Sequence, residues 1–342
     1  MELYNKAYED LLVHFWDEKN GVCKQHSEHF ILPMKVDREE AGVYSYWWHA
    51  HELDYLVDVY LRTKSKDTLK LINSTIVNNI RLNGNTIKND FYDDMLWNGL
   101  ALERLYRETR DIEHKSYLMT LWEDIKLGYN EWCGGGVAWR KDMLWYKNTP
   151  ANCPAIILAS RMYNLNGKEK DLRFAKNVFD WQIENLFDHE TGYVIDGMNR
   201  ENDMKKDIDW KFTYCQGVFI GACLEMYQQF GNKNYLKYAN MTIDNLDKIF
   251  LDENNILIDE GADDIGLFKG ILARYLAEYH LATGCEKSLS VVKDNYLLLE
   301  KVVDNQNGLF SRDFYSLKSE VELPEYLSAA ILIESYQNIL NK

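Results

Sequence analysis

Apolar residues in this chain recur three and four positions apart almost throughout, the spacing that lines up one face of an α-helix and not the alternation of a strand. The pattern predicts about twelve amphipathic helical segments, near residues 2–17, 45–63, 66–82, 91–110, 112–132, 150–165, 169–187, 211–230, 233–250, 267–283, 286–303 and 324–340. An average soluble domain has roughly a third of its residues in helix, so this patterning points to an all-α fold.

The segments alternate in how they end. Even-numbered ones close alike: "DVYLRTKSKD", "RLYRETRDIE", "RMYNLNGKEK", "EMYQQFGNKN", "EYHLATGCEK" and "ESYQNIL" each carry a tyrosine one turn before a short polar turn. These are Tyr60, Tyr106, Tyr163, Tyr227, Tyr279 and Tyr336, the fifth a residue out of phase. Odd-numbered ones run into long loops. Three of these, "FDHETGYVIDG", "FLDENNILIDEG" and "VVDNQNGLFSRD", share an order of Asp, Asn or Gly, apolar pair and Asp that suits a small β-turn excursion. Short connections alternating with long ones pair the helices into antiparallel hairpins, with every long loop at one end. Six hairpins close into a double ring, the (α/α)6 barrel, expected as one domain over residues 1–342. Inner helices touch both the outer ring and the barrel axis and are expected to be apolar nearly all round. Residues 95–106 and 217–227 fit this, the latter with Gly and Ala for close helix approach.

Composition narrows the function. A net charge of −15 and a pI near 5.0 argue against a duplex-binding surface, which needs clustered Lys and Arg. No apolar run approaches the ~18 residues of a membrane span. The residues after Met1 lack a basic and then apolar leader, and six scattered cysteines show no framework spacing. Together these predict a reduced, cytoplasmic protein.

The long-loop end collects the inner-helix starts "SYWWHAHE", "YKNTPANCP", "WKFTYCQG" and "GLFKG", and there "NDFYDDMLWNGL" sets Asp93 beside Asp94. Adjacent carboxylates repel and are costly to bury. Two carboxyls flanking a glycosidic bond are, however, the minimal apparatus of most glycosidases, one protonating the leaving oxygen and the other attacking carbon or activating water. Close like charges drive the two pKa values apart, and a helix N-terminus favours the ionised member. Neighbouring residues can hold their carboxyls about 5 Å apart, the retaining spacing, the inverting spacing being wider. The structural alternative makes Asp90 the N-cap, Asp93 the N3 residue and Asp94 a solvated side chain. The mouth location and the nearby Phe91, Tyr92 and Trp97 favour the catalytic reading. Asp263 and Asp264 repeat the pair in an acidic, glycine-containing loop with fewer aromatics, and read better as capping or subsite contacts.

Trp47, Trp48 and Trp139 suit stacking on sugar faces, or the filling of a Trp-rich core. His49, His51 and Asp54 in "HAHELD", and Cys23, His26 and His29, form no complete metal-ligand set of recognised spacing. "DENNILIDE" lacks the central glycine and final Glu of a calcium loop. P-loop, dinucleotide-fold and Ser-elbow motifs are absent, and neither metal nor cofactor is expected.

"YDDMLWNGLALERLY" resembles the signature of glycoside hydrolase family 76, the endo-α-1,6-mannanases. "GGGVAW" (134–139), "YKNTPANCPAIILASRMY" (146–163), "FTYCQGVFIGACLEMY" (212–227) and "GLFKGILARYLAEY" (266–279) are similar to further family segments, in order, across about residues 45–280. The resemblance implies the (α/α)6 barrel and a retaining double displacement on α-1,6-linked mannosides, with Asp93 as nucleophile and Asp94 as general acid/base. It also implies cleft positions for Asn148, Asn152, Tyr214, Gln216 and Lys269; from their ring chemistry and place at the mouth, Trp47, Tyr92, Trp97 and Trp139 are expected beside them as substrate-binding aromatics. Asp209, just before "WKFTYCQG", would be a third carboxylate for sugar hydroxyls. The chain departs from the family pattern at Asn98, where a second aromatic is usual, at Cys215, where Asn is usual, and in showing no export signal. An imported oligosaccharide is therefore the expected substrate. Three other readings stay open: an epimerase or isomerase on the same barrel, working through His49, His51 and His280; a non-catalytic carbohydrate-binding relative; and a transglycosylase sharing the covalent intermediate.

Overall fold

The computed structural model describes residues 2–28 and 45–342; His29 lies outside them. Among the described residues the helical periodicity becomes twelve α-helices: α1 (Leu3–Asp10), α2 (Tyr46–Thr63), α3 (Lys66–Leu82), α4 (Tyr92–Thr109), α5 (Ile112–Ile125), α6 (Thr149–Asn166), α7 (Glu169–Asn185), α8 (Thr213–Phe230), α9 (Asn234–Ile249), α10 (Phe268–Thr283), α11 (Glu286–Asn305) and α12 (Leu323–Leu340). The even-numbered helices pack side by side in order, and α12 closes back on α2; each odd-numbered helix packs outside an inner one, α1 against α12. This is the (α/α)6 barrel that the alternating connections predict.

The hairpin turns share one physical cause. The residue after α2, α4, α6, α8 and α10 is left-handed: Lys64 (φ 54°), Arg110 (58°), Gly167 (68°), Gly231 (65°) and Gly284 (72°). Its N–H turns back to the carbonyl of Tyr60, Tyr106, Tyr163, Tyr227 or His280, which ends the helix and satisfies an orphaned acceptor. The repeated tyrosine marks that acceptor. In the fifth copy His280 holds the position, which accounts for the shifted Tyr279.

Close approach in the inner ring depends on missing side chains. A Cβ on Gly217 would lie 2.6 Å from the Leu272 Cα, and one on Gly270 2.8 Å from the Ser328 Cα. α8, α10 and α12 therefore meet backbone to backbone.

Two segments are shorter than the periodicity predicts. α1 stops at Asp10, passes through a wider helical turn over Leu11–Phe15, and enters β1 (Trp16–Asp17), which pairs antiparallel with β2 (Val22–Cys23). The Asp17 carboxylate accepts the N–H groups of Lys19 (2.8 Å) and Asn20 (3.2 Å), a turn that competes with further helix. α5 ends at Ile125, not 132, because the chain must turn beneath the Tyr92 ring, which a Cβ on Gly128 would meet at 3.0 Å.

The inner helices are also not apolar along their whole length. Away from the mouth Asp54, Arg104, Arg161, Glu225, Arg274 and Glu334 are buried. Arg104 pairs with Asp54 and Asp58, and Arg274 with the same two residues at 3.0 and 2.6 Å. Arg161 pairs with Glu225 (2.6 Å) and Glu278 (3.1 Å), and Arg62 with Glu334 (2.6 Å). All six inner helices contribute to this ionic belt, because charges taken from water must be paired with one another. No helix among the described residues is long and apolar enough to cross a membrane.

Candidate active site

The long loops and the N-termini of the inner helices enclose a cavity of about 440 Å³ at the barrel mouth, within the usual range for small-molecule sites. Asp93 and Asp94 line it, only 8% and 6% exposed. Their placement follows from how α4 starts. Phe91 is extended (φ −97°, ψ 125°) and gives its N–H to the Asn89 side chain at 3.0 Å, while Tyr92 gives its N–H to the Trp139 carbonyl at 2.8 Å. Asp93 and Asp94 then fill the first turn, where the helix dipole favours negative charge. Asp94 donates its backbone N–H to the Asp93 carboxylate (3.0 Å). The capping alternative does not form: Asp90 stands outside the helix, and its carbonyl accepts the Lys141 N–H (2.9 Å).

Each carboxylate of the pair acts on a tyrosine phenol. Burial, then Asp196, Cys215 and Asp93, push the Tyr214 phenol up, whereas burial and then Asp94 push up Tyr46 at the start of α2.

Aromatic rings form most of the wall. Trp47, Trp97, Trp139 and Tyr214 line the cavity with Phe91, Trp210, Phe212 and Phe268, and Tyr214 lies parallel to Phe268 at 3.8 Å between ring centres. Trp47 is fixed from outside, because its indole N–H and that of Trp48 both donate to one Asp264 oxygen at 2.8 Å. Asp264 is therefore a lining group that orients a tryptophan, and Asp263 adopts a left-handed φ of 53° beside it. Asn148 lines the cavity and caps α6 by accepting the Ala151 N–H (3.3 Å).

Five expected cleft residues lie elsewhere. Tyr92 turns its ring to Gly128. Asn152 is fully buried and holds the Val137 backbone, accepting its N–H (2.7 Å) and donating to its carbonyl (2.9 Å). Gln216 clamps Val194 in the same two-bond way at 3.0 and 2.9 Å. Lys269 donates to the Arg312 carbonyl and sits over the Phe314 ring. Asp209 is exposed on the loop before α8 and does not line the cavity. The first four share one cause: each is spent on a backbone or ring contact that builds a loop around the mouth.

Besides the pair and Asp264, the cavity is lined by the carboxylate of Asp196, 3% exposed. It accepts hydrogen bonds from the Tyr214 hydroxyl (3.0 Å) and the Cys215 thiol (3.3 Å), yet burial still pushes its carboxyl up. It is the closing Asp of the excursion "FDHETGYVIDG", so the repeated motif carried the signal. Arg200 also lines the cavity, stacked 4.2 Å from the Tyr146 ring centre and 4.0 Å from Trp210, with Asp207 at 3.4 Å. Nothing in the sequence pattern marked it. The departures from the family pattern also find places: Cys215 donates to Asp196, and the Asn98 carbonyl oxygen accepts from Asn79 of α3 (3.4 Å), outside the cavity.

Next to Asn148, in β3 (Lys147–Asn148), Lys147 is fully buried and donates to the Asn130 side chain and the Gly136 carbonyl, each at 2.8 Å. β3 pairs with β4 (Gly197–Met198) and ties two mouth loops together. Burial lowers this ammonium to about 7. Its folded-state pKa lies below the unfolded value of about 10.4, so the unfolded chain binds the extra proton between those limits and stability rises with pH there. Relative to Lys147→Met, the wild type is therefore expected to gain roughly 2–4 kcal/mol between pH 7 and 10, measured by urea unfolding at each pH. A pH-independent difference would refute this reading.

A profile of glycosyl hydrolase family 76 matches residues 3–292. The Lin0763 protein of Listeria innocua, a solved structure, is 35% identical with a TM-score of 0.89, covering 100% of this chain and 98% of its own. The GH76A α-1,6-mannanase of Salegentibacter sp. HEL1_6 is 31% identical with a TM-score of 0.88, covering 98% of each chain. An inactive variant of it, two consecutive aspartates changed to asparagine, has been solved in complex with α-1,6-mannotriose. Among curated proteins, the mannan endo-1,6-α-mannosidase DCW1 of Candida glabrata is 26% identical over 261 residues, 68% of this chain and 57% of that protein. The chain thus spans little more than half the length of such curated relatives. With a family profile over most of its length, the chain belongs to glycosyl hydrolase family 76.

Proposed function

We propose that the protein is a retaining glycoside hydrolase that cleaves α-1,6-mannosidic linkages in oligosaccharides. The observation that carries this is the buried pair Asp93 and Asp94, adjacent in the first turn of α4 and both lining one aromatic-walled cavity. In this reading Asp93 attacks the anomeric carbon while Asp94 gives its proton to the departing oxygen. Asp94 then takes a proton from the water that opens the Asp93 ester, and two displacements restore the α configuration. Flat aromatic rings along the wall suit pyranose faces, and the relative whose paired aspartates were replaced is inactive but holds α-1,6-mannotriose.

Proton transfer by histidine fits the cavity less well, since none of the three histidines lines it. His49 bonds to Glu52 at 2.6 Å. His51 is buried against the Trp47 and Trp97 rings, where burial lowers its imidazole to about 3. His280 contacts the Cys285 carbonyl at the far end of α10. All six cysteines are free thiols, which supports a reducing compartment as the proposed setting.

Proton NMR of the anomeric region tests the reading, with the protein acting on α-1,6-mannotetraose. The α-anomer of the new reducing end is expected to appear first and to mutarotate afterwards. A β-anomer appearing first excludes retention, and an uncleaved substrate excludes the linkage assignment.

A further inference from the structure

A second concave site shares no lining residue with the cavity. It is a groove of about 310 Å³ between the α7–α8 connection and the C-terminal half of α9. The loop before α8 separates the two: Trp210 and Phe212 line the cavity, whereas Ile208 and Lys211 line the groove. The Tyr193 ring forms part of the groove and its hydroxyl donates to the Trp210 carbonyl (3.0 Å).

Asn245 is the residue that needs explaining. It sits inside α9, lines the groove, and is 4% exposed, and its side-chain nitrogen has no hydrogen-bond partner among the described residues. Asn is a poor helix former, and a buried amide left unpaired costs stability, so nothing in the fold favours it there. A half-turn of the amide presents either its oxygen or its NH2 group to the groove.

Charge defines the partner. Lys211 and Lys248 flank the same groove, and neither makes an ion pair or side-chain hydrogen bond among the described residues, although the chain carries a net −15. The one carboxylate in the lining, Asp188, is committed to its own turn: it accepts the Glu190 N–H (2.9 Å), the Thr191 N–H (3.4 Å) and the Thr191 hydroxyl (2.7 Å). Ile195, Ile208 and Ile249 supply apolar surface to the same groove. Two unpaired cations and an amide around an apolar floor suit a small ring that bears a dianion. A phosphate monoester carries about −1.5 to −2 at neutral pH, matching both lysines, where a carboxylate matches one.

We propose that this groove is a second binding site, for a monosaccharide phosphate. Lys211 and Lys248 hold the phosphate, Asn245 bonds a ring hydroxyl, and the isoleucines and Tyr193 cover the apolar face of the sugar.

Isothermal titration of the full chain with mannose 6-phosphate, mannose, inorganic phosphate and glucuronate tests this. Mannose 6-phosphate is expected to bind saturably and at least tenfold more tightly than the other three. Lys211→Met and Lys248→Met are each expected to weaken it about tenfold, the effect of losing a charge-assisted hydrogen bond. Asn245→Leu is expected to weaken it similarly with no drop in thermal midpoint, and Asp93→Asn to leave it unchanged. Equal affinity for glucuronate overturns the phosphate assignment. Wild-type affinity in both lysine variants, or loss of binding in Asp93→Asn, overturns the groove.

Discussion

Asp93→Asn is expected to lower turnover of α-1,6-mannotetraose by at least about four orders of magnitude, the scale on which removing a covalent nucleophile acts. Substrate affinity should stay within a few-fold of the wild type. The replacement keeps the shape of the side chain and an oxygen that can accept the Asp94 N–H, now at 3.0 Å, so the first turn of α4 keeps its geometry. What disappears is the carboxylate that would form the glycosyl ester. Asp94→Asn should behave differently. With the mannotetraose it is expected to cost about 10²–10⁴, the usual weight of general acid–base catalysis. With an aryl mannoside whose leaving group departs unprotonated, much of the first step should return, and the ester on Asp93 should accumulate as a burst. Initial rates on both substrates, with binding measured by calorimetry, separate the two roles. Retention of more than about 1% activity in Asp93→Asn removes it as nucleophile, on the same scale. A burst in Asp93→Asn in place of Asp94→Asn exchanges the assignments.

Much of this arrangement was legible in the sequence, and for reasons that can be named. Periodicity reports which face of a helix is buried, and alternating loop lengths report hairpin order, so the double ring followed from local signals. The recurring tyrosines were a sharper signal than their hydrophobicity suggests, because Tyr60, Tyr106, Tyr163 and Tyr227 supply the carbonyl that closes each left-handed turn. The pair at Asp93 and Asp94 stood out because its charge conflicts with burial. Asn152, Gln216 and Lys269 illustrate where motif reading stops. A polar residue inside a mouth motif can serve the ligand or the backbone, and spacing along the chain is the same for both. Only the loops it meets decide: Val137 for Asn152, Val194 for Gln216, and Arg312 with Phe314 for Lys269. Arg200 escaped notice because its partners, Tyr146 and Trp210, arrive from two different connections. The ionic belt was hidden more simply. Leu, Ala and Gly around Glu103 and Arg104 in "GLALERLY" make that stretch read as apolar all round.

That belt carries the largest expected effect on stability, and Arg161 is its most exacting member. Its guanidinium meets Glu225 at 2.6 Å and Glu278 at 3.1 Å, with Glu103 at 4.0 Å, on a side chain only 10% exposed. Arg161→Met removes one cation and leaves three carboxylates facing one another inside the barrel. Removing one partner of a buried ion pair costs about 3–5 kcal/mol, because the remaining charge is left uncompensated, and guanidinium unfolding at pH 7.5 is expected to show a loss in that range. The loss should shrink at lower pH. Burial already pushes the Glu225 carboxyl up, and Arg161 and its hydrogen bond are what hold it down. Without Arg161 it protonates more readily in the folded state than in the unfolded one, so the folded variant binds the extra proton and regains stability on acidification. Arg161→Met combined with Glu225→Leu tests whether charge or packing is responsible. If an unpaired carboxylate is the cause, the double variant recovers at least about half of the loss, as replacing both partners of a buried pair with apolar groups commonly does. If instead the double variant loses more than Arg161→Met alone, at every pH, then the arginine serves chiefly to fill space at the foot of the barrel.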